Sequence, residues 1–119
     1  MAEEKGLVNE NLEASLPIRL TNGAVIECVL DTGFNGSLLL PREFVETNFM
    51  LFAGREEVLL VEDFSVKIDT AIAETIWLGE NFSVRVLVSE TNEALIETQM
   101  LVDSVLEINY KNSTVKITK

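Results

Sequence analysis

The chain has 119 residues, and 20 acidic side chains against nine basic ones leave a formal charge of −11. A surface that binds phosphate needs a basic patch, so this balance argues against nucleic acid and against anionic membranes as partners. There is no histidine and one cysteine, Cys28, which excludes Ser–His and Cys–His nucleophile systems, imidazole or thiolate metal sites, and internal disulfides.

The length fits a single domain over residues 1–119, and a chain of this size buries roughly 65% of the surface its unfolded form exposes. No stretch approaches the ~18 consecutive apolar residues of a membrane span. The first residues, Met1-Ala2-Glu3-Glu4-Lys5, are acidic and lack the apolar run of a signal peptide, so a cytoplasmic location is expected.

Residues 1–12 carry no strong pattern and are expected to stay loose, or to pair across a subunit interface. Leu16, Ile18 and Leu20 then alternate with Pro17 and Arg19, ahead of Thr21-Asn22-Gly23. Asn-Gly between apolar segments is a strong hairpin signal, because both residues tolerate positive φ. The next strand, Ala24 to Leu30, alternates so weakly that burial on both faces is expected. Pro41 suits the first position of a short helix through Asn48, with Phe44 and Val45 inward.

A long β region follows from Val58 to Val88, broken by the turn Leu78-Gly79-Glu80-Asn81. In it Val66, Ile68, Thr70, Ile72, Ile76 and Leu78 share one face, and Lys67, Asp69, Ala71, Ala73, Thr75 and Trp77 the other. A second short helix fits Thr98 to Asp103. Two strands around Leu106–Tyr110 and Val115–Ile117 end the chain. The expectation is an all-β domain, a closed or partly closed barrel or a sandwich with one or two short helices.

One segment interrupts this pattern. The apolar strand Val29-Leu30 runs into Asp31-Thr32-Gly33-Phe34-Asn35-Gly36, and apolar chain resumes at Leu38-Leu39-Leu40-Pro41. A carboxylate at the end of a buried strand costs several kcal/mol unless it is hydrogen-bonded or shared. Glycines at 33 and 36 permit a tight loop and close backbone approach. These residues describe either a plain turn with Asp31 and Asn35 as turn-formers or a loop presenting one carboxylate at the edge of the core.

The segment resembles the active-site motif of retropepsin-like aspartic proteases, in the Asp-Thr-Gly-Phe-Asn-Gly form of a small bacterial branch. The order of elements from about residue 16 to 118 is similar too. The resemblance implies an acid-protease-like barrel with one catalytic aspartate per chain, so that a homodimer about a two-fold axis forms the site. It implies that Asp31 of each subunit shares one proton and activates water against a peptide bond, with no cofactor and no metal. Thr32 and Gly33 would complete the catalytic loop. Phe34, Asn35 and Gly36 would contact a peptide or protein substrate, with Glu62, Asp63 and Phe64 closing over it from a β-hairpin flap.

Two positions depart from that pattern. The stretch Leu60-Val61-Glu62-Asp63-Phe64-Ser65 has no glycine for a flap tip, and Glu97 follows Ala94-Leu95-Ile96 where the family places glycine. A charged side chain there is expected to point outward or to distort the loop. The alternative function is a catalytically weakened or inactive peptide-binding dimer on the same scaffold. Elsewhere the chemistry is plain: Cys28 reads as core, Glu56-Glu57 and Glu62-Asp63 as solvated hairpin acids, Trp77 as half-buried in a sheet, and Asp103 as a capping or surface residue.

Overall fold

In the computed structural model, which describes residues 2–119 except for the side chain of Val61, the chain folds into ten strands, a helix and a 3-10 turn. The strands are β1 (Glu3–Val8), β2 (Ala14–Leu20), β3 (Val25–Leu30), β4 (Leu38–Pro41), β5 (Leu51–Val61), β6 (Phe64–Trp77), β7 (Glu80–Ser89), β8 (Leu95–Ile96), β9 (Val105–Asn109) and β10 (Thr114–Thr118). Helix α1 (Arg42–Thr47) follows β4, and the 3-10 turn is Thr98–Leu101. The strands form one sheet in the order β5-β6-β7-β4-β8-β3-β2-β1-β10-β9. A further pairing of β2 with β6, Arg19 opposite Ile76 and Leu20 opposite Thr75, closes part of it into a barrel.

Strict alternation decides which face is buried. Ala14, Leu16, Ile18 and Leu20 of β2 point inward, and so do Val115 and Ile117 of β10. On β6 Ala71, Ala73, Thr75 and Trp77 are buried on one face; on the other Thr70 and, just past the strand, Leu78 are buried while Ile68, Ile72 and Ile76 are half-buried. Trp77 is fully buried rather than half-buried, and its indole N–H donates to the Met100 carbonyl at 2.9 Å. Strand β3 lies between β2 and β8 but is covered on one side only: Cys28 is buried, whereas Val25 and Glu27 are exposed. Burial pushes the Cys28 thiol up to about 12, with Glu27 adding to the shift, so the group is inert.

The turns follow their chemistry. Gly23 (φ 95°) closes the β2–β3 hairpin with its N–H on the Leu20 carbonyl, and Leu78-Gly79, both at positive φ, joins β6 to β7. Pro41 sits one place before α1, in extended backbone, and Val45 is buried with Phe44 packed beside it.

The N-terminal segment corrects its expectation. Glu3–Val8 is a strand within the same chain, antiparallel to β10 and, at its end, to β2. Glu4 is buried beneath it, accepting from Arg19 Nη2 at 2.6 Å and from the Leu78 amide at 2.9 Å. That carboxylate ties the first strand across the barrel.

Candidate active site

Asp31 stands where β3 leaves the sheet, and the loop it opens must pass over β8 before β4 begins. Strand β8 is inserted between these two neighbours in sequence, parallel to β3 (Leu30 opposite Ile96) and antiparallel to β4 (Leu38 opposite Ile96). The Asp31 amide donates to the Ile96 carbonyl at 2.8 Å, and Asp31 Oδ1 accepts the Gly33 amide at 2.9 Å. This bond makes 31–33 an Asx-type turn and holds the half-buried carboxylate in one orientation. Thr32, Gly33, Phe34 and Asn35 are exposed.

The chain after β8 holds the rest of the loop. Glu97 N–H donates to Ser37 O (2.9 Å), Thr98 N–H and Oγ1 to Phe34 O (3.2 and 3.0 Å), and Gln99 N–H to Gly36 O (3.0 Å). Ser37 Oγ closes the set on Gln99 Oε1 at 3.0 Å. Residues 97–99 thus fix residues 34–37 from a distance in sequence that no local pattern reports.

Glu97 is buried, 5% exposed, and overturns its expectation. It points inward and leaves the loop undistorted, because Gly36 has no side chain: a Cβ there would overlap Glu97 Oε1. Burial raises the Glu97 carboxyl above its ordinary value of 4.5, the Asp31 and Glu93 charges raise it further, and the Gly36 amide opposes the shift. The folded chain holds this proton where the unfolded chain releases it, so stability falls as pH rises from 4.5 through the raised value. Glu97→Gln is expected to melt near wild type at about pH 4 and above it at about pH 7. Melting curves at the two values check this, and equal gaps at both would contradict it.

The β5–β6 hairpin is the one expected to serve as a flap. Its tip turns at Glu62-Asp63 without glycine, Glu62 taking φ 51°, and Val61 pairs with Phe64. Arg42 of α1 anchors its base: Nη2 donates to Asp69 at 2.7 Å, and Nη2 and Nε both reach Glu90, at 2.6 and 2.8 Å. Arg42, with help from Arg55, holds the Asp69 carboxyl below its usual range.

Between flap and loop lies an open cleft of about 470 Å³. Phe34, Asn35 and Gly36 border it, together with Glu56–Leu60 of β5. Glu62, Asp63 and Phe64 are not brought to its wall and stand exposed at the hairpin end. Asp31 and Thr32 face an adjoining recess of about 390 Å³ with the exposed Leu12 and Tyr110, and Glu93 and Leu95 border both spaces. Glu56 lies 4.0 Å from Arg85 and Glu57 accepts from Ser65 Oγ at 2.6 Å. Asp103 is an exposed turn residue at φ 59°.

No protein-family model and no curated protein matches the sequence. Among solved structures, a retropepsin-like aspartic protease from Rickettsia conorii superimposes with a TM-score of 0.69 at 14% identity, over 97% of this chain and 89% of that one. The foamy viral protease-reverse transcriptase bound to an RNA/DNA hybrid matches with a TM-score of 0.54 at 15% identity, over 73% of this chain. This chain spans only 11% of that longer protein. The fold is that of the retropepsin-like aspartic proteases, and Asp31-Thr32-Gly33 occupies the strand-end loop that the sequence motif identified.

Proposed function

We propose that the chain is an aspartic endopeptidase that acts as a homodimer, with Asp31 of each subunit contributing one of two catalytic carboxylates. The observation that carries this reading is the Asp31 carboxylate, oriented by the Gly33 amide at an exposed loop beside an open cleft. One chain supplies one such carboxylate and one flap, so the site is half of a two-fold arrangement. Two carboxyls brought side by side share a proton, because both cannot ionise. The ionised partner takes a proton from water as the water attacks the peptide carbonyl, and the protonated partner gives its proton to the carbonyl oxygen. Nothing in this chemistry draws on a metal, a cofactor or nucleic acid.

Thr32, next to the carboxylate, would brace the two loops across the interface, and Phe34, Asn35 and Gly36 would line the path of the peptide. Glu62, Asp63 and Phe64 would reach substrate only when the hairpin bends over the cleft. The cytoplasm suits a chain whose one cysteine is buried; no helix among the described residues is long and apolar enough to cross a membrane.

A second reading has one observation in its favour. Glu97 adds a buried carboxyl packed against Gly36 of the Asp31 loop, which suits a dimer that binds peptides without cutting them. Two measurements separate the readings. Sedimentation across concentration must show a dimer, since a monomer throughout removes the dyad. Cleavage of a peptide library should then peak on the acidic side of neutrality, where the shared proton is kept; an optimum above about pH 8 would contradict a carboxylate pair.

A further inference from the structure

We propose that the cleft under the flap selects peptides carrying a lysine or arginine side chain close to the scissile bond, and that Glu97 is the residue that recognises it. The inference rests on the peptide-cleft part of the proposed function and adds the substrate class. The cleft walls supply two things that such a side chain needs. Leu39, Ile68, Leu87 and Leu95 form an apolar lining for a methylene stem. The charged groups along it are all carboxylates, Glu56, Glu57, Glu93 and Glu97, with no lysine or arginine among the described lining residues.

Glu97 differs from the other three in its burial. They are exposed, whereas Glu97 is 5% exposed and still borders the cleft. Its Oε1 packs against Gly36 where a Cβ would stand, and no ion pair among the described residues includes it. A carboxylate taken from water without a cation is costly, and losing one partner of a buried pair is worse than never forming it. A ligand ammonium or guanidinium supplies the missing partner and finds a carboxylate with little water left to displace. The cavity volume suits one long side chain with its flanking backbone. The Asp31 amide is hydrogen-bonded to the carbonyl of Ile96, the residue before Glu97, which places this subsite next to the reacting bond.

The test uses the full chain with Asp31→Asn, which removes cleavage and leaves equilibrium binding to be measured. Pairs of octapeptides differ only by lysine against norleucine, its uncharged counterpart of the same stem, at one position at a time. At one position lysine is expected to bind about tenfold tighter, and adding Glu97→Gln should bring that ratio close to one. Glu93→Gln, at the rim, should lower the ratio less. Equal or weaker binding of the lysine peptide at every position overturns the proposal, as does a ratio that survives Glu97→Gln or a failure of both peptides to bind. Cleavage of the same peptides by the wild-type chain is scored separately. If lysine is preferred in binding and nothing is cut, the peptidase reading fails and the recognition stands; if peptides are cut with no cationic preference, the reverse holds.

Discussion

Asp31→Asn is expected to lower peptide cleavage by roughly a thousand-fold or more while leaving the fold in place. Asparagine has the shape of aspartate, and its side-chain oxygen still accepts the Gly33 amide now held at 2.9 Å, so the turn at 31–33 persists. What disappears is the ionisable group. In a homodimer the substitution removes both carboxyls at once, so no partner is left to take the proton from water or to hand one to the carbonyl oxygen. The melting temperature and the sedimentation behaviour should stay close to wild type, because a half-buried loop exchanges one hydrogen-bond acceptor for another. Cleavage of a peptide library is the direct assay. If the variant cuts as fast as wild type, Asp31 is a turn residue and the chemistry lies elsewhere.

What the sequence made legible here was local. Asp31-Thr32-Gly33 stands out through its resemblance to a known motif, since on its residues alone it describes a plain turn as well as a carboxylate-bearing loop. Gly23 and Gly79 announce their hairpins because glycine accepts positive φ, whereas the φ of 49° at Leu78 is not legible from its residue type. The flap tip could be placed within Leu60–Ser65, but that it turns on Glu62 at φ 51° could not, since a non-glycine residue adopts that backbone only when the two strands impose it.

The features missed by sequence reasoning depend on partners far along the chain. Glu3–Val8 looks formless alone and becomes a strand because β10, more than a hundred residues later, offers an edge. The alternation on β6 identified two faces, but the isoleucines of the more apolar face stay half-buried while Ala71, Ala73, Thr75 and Trp77 opposite are buried. Glu97 could not be placed without knowing that Gly36 lies against it and leaves space for a carboxyl. At the site, glutamate stands at position 97 where the expected pattern has glycine, and neither an outward side chain nor a distorted loop results. In three dimensions it is a buried acid at the wall of the cleft.

Gly6→Ala should be among the most damaging single substitutions outside the Asp31 loop, with an expected loss of about 3 kcal/mol of stability. The reason is the pairing of β1 with β2, where Leu7 stands opposite Ser15. A Cβ on Gly6 would overlap the Ser15 carbonyl oxygen, and it would sit 2.9 Å from the Ser15 carbonyl carbon and 3.1 Å from Leu16 Cα. All three are backbone atoms of a strand whose Leu16 is fully buried, so no side-chain rotation relieves the contact. The first strand must move away, and Glu4 moves with it, taking its carboxylate off Arg19 and the Leu78 amide. The pairing of Gly6 with Val115 on β10 is strained by the same displacement. For a domain of this size the loss corresponds to a melting temperature lower by roughly 10–15 °C. Gly23→Ala is the control for backbone strain alone: Gly23 has φ 95° but open space around it, so its loss should be about 1 kcal/mol. A Gly6→Ala variant that melts with wild type would mean that residues 3–8 do not hold this pairing in solution. The N-terminal segment would then be free to pair elsewhere, as the unpatterned sequence suggested, and a second subunit would be the first place to look for its partner.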